Sequence, residues 1–111
     1  MNPATLSALS ESNRFHIVEL LQKGACPVAE ISSRLNLNQP QTSKHLRVLA
    51  DAGLVEIMPR AQQRYYALRP QAFKEISAWI EKYRKLWEHR FDRLEALLIE
   101  EKGSHRKDYK R

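Results

Sequence analysis

Apolar residues recur at steps of three and four along most of this chain, and breaks in that rhythm divide it into short pieces. Residues 4–9 read as a first helix with Leu6 and Leu9 on its buried side. Ser10-Glu11-Ser12 ends it, and Ser12 can cap a second helix over about 13–23 that buries Phe15, Ile17, Val18, Leu20 and Leu21 and stops at Gly24. Pro27 opens a third helix at 28–35, with Val28, Ile31 and Leu35 inward. The turn Asn36-Leu37-Asn38 then leads into a helix with both ends written in. Asn38 can cap its start, Gln41 stands where it can reach back to the cap, and Pro40 sits in the first turn. Gly53 can close the far end in the left-handed conformation. Between these ends Leu46, Leu49 and Ala50 form one buried stripe.

After Gly53 the period shortens. Leu54–Met58 and Arg64–Leu68 are β-prone runs joined by the turn Pro59-Arg60-Ala61-Gln62-Gln63, a hairpin following the capped helix. Pro70 then starts a helix over 71–101, about 46 Å long at about 1.5 Å per residue. Phe73, Ile76, Ile80, Tyr83, Trp87, Leu94 and Leu97 follow helical steps interrupted by Arg90, and Trp79, Leu86, Phe91 and Leu98 widen the stripe. The preceding residues cannot cover so long an apolar face, so a second copy of the same helix is the simplest partner. Residues 102–111 are Gly, Ser and charge, and read as a flexible basic tail. The pattern predicts a mainly α fold with a small β-hairpin: a winged helix-turn-helix over 1–101, dimeric through its long C-terminal helix.

Charge changes the picture more than composition does. Nineteen Lys and Arg against thirteen Asp and Glu leave +6, which favours an anionic partner, double-stranded DNA before a membrane. The outer face of the capped helix carries Gln39, Gln41, Thr42, Ser43, Lys44 and Arg47, donors and cations suited to base edges and phosphates. Arg60 and Arg64 in the hairpin either reach a phosphate or minor groove or decorate a solvated tip. The single Cys excludes an internal disulfide framework and suits a reducing cytoplasm. No apolar run approaches the roughly 20 residues that span a bilayer, and the N-terminus lacks the basic and apolar regions of a secretion signal. No nucleophile–base pair, glycine-rich phosphate loop or carboxylate dyad is visible, so neither an enzyme nor a cofactor is expected.

These residues resemble a known family. The run Asn38-Gln39-Pro40-Gln41-Thr42-Ser43-Lys44-His45-Leu46-Arg47-Val48-Leu49, followed by Ala52-Gly53-Leu54-Val55, closely resembles the recognition helix of the ArsR/SmtB family of bacterial winged-helix repressors. Residues 6–21 look like that family's opening helices, and the resemblance extends over about residues 4–100. It implies a homodimer joined by the first and last helices, bound to an operator palindrome and blocking transcription. Gln39, Thr42, Ser43 and Lys44 match positions that face DNA. The expected dimer interface includes Leu6, Leu9, Ile80, Tyr83, Trp87, Phe91, Leu94 and Leu98.

The same resemblance bears on metals and inducers. Metal-sensing members carry Cys-x-Cys on the third helix, where this chain has Pro27, Val28 and Ala29. Others use Asp-x-His and His-x-x-Glu on the last helix, where this chain has Pro70 and Ala72, then Tyr83 and Leu86. The chain therefore resembles a branch without the known metal motifs; no metal is expected, and the inducer is unknown. Cys26 has no second ligand nearby, which favours a structural thiol over a sensor. His89 and Asp92 are only half a ligand set, and Trp79 and Trp87 read as packing rather than a ligand cage. His45 either touches a phosphate or packs beside Leu49. A protein-interaction module on the same fold is the rival function, disfavoured because residues 39–47 present polar groups and cations rather than aromatics.

Overall fold

The apolar positions converge as their spacing demands, with a few exceptions. The computed structural model describes residues 2–104, with side chains as far as Glu101. Five helices and three strands run in the order α1 (Pro3–Leu9), α2 (Ser12–Leu21), β1 (Cys26–Pro27), α3 (Val28–Leu35), α4 (Gln39–Asp51), β2 (Val55–Arg60), β3 (Gln63–Leu68) and α5 (Pro70–Ser104). The sheet is antiparallel in the order β1-β3-β2, so the hairpin is joined by a third strand that the hydrophobic pattern does not show. Cys26 and Pro27 pair with Tyr66 and Tyr65, and two residues are too few to display alternation.

By its contacts the chain divides into two units, Met1–Ile76 and Ser77–Arg111. The first holds the core: Ala8, Ile17, Val18, Leu21, Cys26, Ile31, Leu46, Leu49, Leu54 and Val55 are buried. Tyr66, Leu68, Ala72, Phe73 and Ile76 pack against it. In the second unit Trp79, Ile80, Tyr83, Leu86, Trp87, Phe91, Leu94, Leu97 and Leu98 are all exposed. Trp79 meets Tyr83 edge-on with ring centres 5.0 Å apart, and Trp87 lies 5.8 Å from Phe91. Arg90, which interrupts the apolar rhythm, sets its guanidinium over the Trp87 ring at 5.5 Å. The expected tail at 102–111 falls largely outside the described residues, although the backbone of α5 continues to Ser104. No helix among the described residues is long and apolar enough to cross a membrane.

Three sequence expectations need correction here. The buried side of α1 is Thr5 and Ala8; Leu9 is half-buried and Leu6 is 42% exposed. Phe15 is 48% exposed, because it sits off the face that Ile17, Val18 and Leu21 share, and its ring meets His16 edge-on. The cap of α2 is Glu11 rather than Ser12: its carboxylate accepts the Arg14 backbone N–H at 3.0 Å.

Candidate nucleic-acid interface

The turn between α3 and α4 is closed by hydrogen bonds at both ends. Asn36 closes α3 in the left-handed region at φ 57°, and the N–H groups of Asn36 and Leu37 return to the carbonyls of Ser33 and Ser32. Two residues later Asn38 caps α4. Its side-chain oxygen accepts the Gln41 N–H at 2.8 Å, and the Gln41 side chain accepts the Asn38 N–H at 3.4 Å, the reciprocal pair of a capping box. At the far end Gly53, at φ 79°, lets the Leu54 N–H reach the Leu49 carbonyl at 2.9 Å. Leu46 and Leu49 on the inner face are fully buried.

That anchoring leaves Gln39, Gln41, Ser43, Lys44 and Arg47 exposed on the outer face, as expected. Thr42 is the exception. It is 0% exposed, and its hydroxyl donates to the Asn38 carbonyl at 2.9 Å while accepting the Ser32 hydroxyl at 2.8 Å. Thr42 joins α4 to α3 and presents nothing to DNA. Thr42→Val is expected to lower stability by about 1–3 kcal/mol, since Ser32 keeps a buried hydroxyl without its acceptor. Urea unfolding measures this, and an unchanged midpoint would mean that the hydroxyl pair contributes nothing.

His45 is also turned inward. Its side chain is 18% exposed, with Nδ1 3.5 Å from the Glu11 carboxylate. Glu11 is held below the usual carboxylate range: burial works against this, but the backbone N–H groups of Asn13 and Arg14 and the charges of His45 and Arg14 outweigh it.

The wing is tighter than the sequence suggested, because Pro59 and Arg60 belong to β2 and Gln63 to β3. Arg60 pairs with Gln63, leaving a two-residue turn in which Ala61 takes φ 52°. Pro59, which has no N–H to donate, lies in an edge strand. Arg60 sets its guanidinium over the Tyr65 ring at 5.1 Å. The register puts Arg60 with Gln63 on one face of the hairpin and Arg64 with Pro59 on the other. The two exposed cations therefore do not act from one face. Cys26 is buried in β1 and its thiol donates to the Glu30 carboxylate. Burial, then the Glu30 hydrogen bond and charge, push the thiol up to about 11, so it stays protonated at neutral pH.

This arrangement, a capped helix after a tight turn and then a wing, recurs in known proteins. The family profile described as "Bacterial regulatory protein, arsR family" matches residues 11–56. The chain is 35% identical over 82 residues to the transcriptional activator HlyU of Vibrio cholerae, covering 74% of this chain and 73% of that one. It is 33% identical over 76 residues to the HTH-type transcriptional regulator Rv2034 of Mycobacterium tuberculosis, covering 68% and 71%. The chain belongs to the ArsR family. Among solved structures, reduced HlyU superposes with a TM-score of 0.60 at 34% identity, over 76% of this chain and 85% of that one. An ArsR-like transcriptional regulator from Rhodococcus sp. RHA1 shares the fold with a TM-score of 0.71 at 21% identity, over 86% and 90%.

As an ArsR-family member the chain is a transcriptional regulator with a DNA-binding winged helix-turn-helix. Two residues of this site were missed by sequence reasoning. Ser32 reads as an ordinary polar position on α3, with nothing local to show that it is buried against Thr42, and Glu11 is not among the side chains usually favoured as caps.

Proposed function

We propose that this chain is a homodimeric repressor that binds a palindromic operator, with α4 in the major groove and the wing on flanking DNA. The observation carrying this reading is the outer face of α4, where Gln39, Gln41, Ser43, Lys44 and Arg47 stand exposed on a helix fixed at both ends. The exposed apolar stripe of α5 supports pairing with a second copy, and a Mycobacterium bovis relative of this fold is described as homodimeric. Among similar proteins are both a named repressor, SdpR of Bacillus subtilis, and a named activator, HlyU. Repression is therefore this chain's own question, and a promoter fusion with and without the protein answers it. The chain acts in the cytoplasm, without catalysis, cofactor or resident metal.

Recognition divides between short neutral side chains and cations. Gln39 and Ser43 lie in the half of α4 that enters the groove first, where they meet base edges. Lys44, Arg47 and the wing arginines meet phosphates. Gln39→Ala is expected to cost about 1–3 kcal/mol on the operator and little on random DNA. Arg64→Ala is expected to weaken both DNAs alike and reduce the slope of log affinity against log salt by roughly one unit. Titration on the chain's own upstream DNA and on random DNA across a salt series measures both. Failure of the unaltered protein to prefer the upstream DNA would favour the protein-interaction reading.

A further inference from the structure

We propose that His45 is a positioning residue, latching the recognition helix α4 to the corner between α1 and α2 by presenting Nδ1 to the Glu11 carboxylate. Among the described residues, its Nδ1 is the buried side-chain nitrogen without a hydrogen-bond partner. A buried polar atom in that state is unfavourable unless a charge or acceptor compensates it. Glu11 Oε2 stands 3.5 Å away, with the two side chains 18% and 35% exposed. The same carboxylate oxygen caps α2 by accepting the Arg14 N–H at 3.0 Å, and the Arg14 Nε donates to the Ala8 carbonyl of α1 at 2.7 Å. A polar chain therefore runs from α1 through α2 to α4, with His45 as the link on the recognition helix. Glu11 and Arg14 are the charged groups bonded in this corner, and Asp51 of α4 lines the same cleft as Arg14; Lys44 and Arg47, on the helix itself, are exposed. With Nδ1 aimed at the protein, the ring sets where the exposed side chains of α4 stand.

Amide isosteres separate positioning from contact. Asn can place its side-chain N–H where imidazole Nδ1 lies, whereas Gln reaches the place of Nε2. His45→Ala and His45→Gln are expected to weaken operator binding roughly fivefold with an unchanged salt slope, and His45→Asn to retain most of the affinity. Glu11→Gln keeps an oxygen for the Arg14 N–H, so it is expected to fold. Combining it with His45→Ala should weaken binding no further than His45→Ala alone. A salt slope reduced by about one unit in His45→Ala, with rescue by Gln instead of Asn, would make His45 a phosphate contact and overturn the latch. The affinity arm rests on the repressor reading above, so the same five variants, the double included, are also unfolded in urea without DNA. Non-additive midpoints for His45→Ala and Glu11→Gln support the latch even if the unaltered protein binds no DNA, and additive midpoints overturn it.

Discussion

Trp87→Glu is expected to leave a monomer at micromolar concentration where the unaltered chain scatters light as a dimer. Trp87 is 49% exposed in its own chain and has Tyr83 and Phe91 one turn away on either side, with Leu94 two turns along the same stripe. In the proposed pairing a second copy covers this stripe. A carboxylate placed there is buried without a counter-charge, which costs about 3–5 kcal/mol, or at least a hundredfold in the dimer constant. A two-fold interface contains the change twice, which enlarges the loss. Operator affinity should fall with it, because two half-sites are then held by separate molecules. Residues 2–76 should keep their helical signal, since Trp87 contributes nothing to their core. A variant that still scatters as a dimer would place the subunit contact elsewhere.

Leu46→Ala is expected to be the most damaging change on α4 to the fold itself. The side chain is 0% exposed and lies one turn from Thr42 and Leu49 on the inner face. Truncating such a leucine costs about 2–5 kcal/mol through lost burial and the cavity left behind. A small domain's whole stability is about 5–15 kcal/mol, so much of it goes. The urea midpoint should drop with little change in slope, and DNA affinity should fall because α4 loses its seat. Gln39→Ala, on the exposed outer face, should leave the midpoint alone. An equal drop for both variants would mean that the outer face contributes to the core.

Most of the fold was legible because the elements that matter carry local chemistry. Asn38, Pro40, Gln41 and Gly53 mark α4 by caps that depend on a few neighbouring atoms, and each performs the expected task. What escaped was set by tertiary contact. Polarity points Thr42 outward, yet its spacing of four and seven residues from Leu46 and Leu49 puts it on the inner stripe, where Asn38 and Ser32 satisfy its hydroxyl. Strand β1 escaped because its two residues are defined only by Tyr65 and Tyr66, nearly forty positions away. Aromatic character points Phe15 inward, and its angular position on α2 overrides that. Sequence leaves His45 between two roles, because the Glu11 carboxylate beside it is brought there from the far side of α2, β1 and α3.

The paired closures around Asn36 and Asn38 bear on the thermodynamics of reading DNA. The backbone N–H groups of Asn36, Leu37, Asn38 and Gln41 already have their partners in the free protein. An operator would then meet a surface in its final shape, and ordering would fall on the side chains of Gln39, Ser43, Lys44 and Arg47 rather than on the backbone. Association of this kind carries no coupled folding of the recognition helix, so its heat-capacity change should reflect the contact area alone.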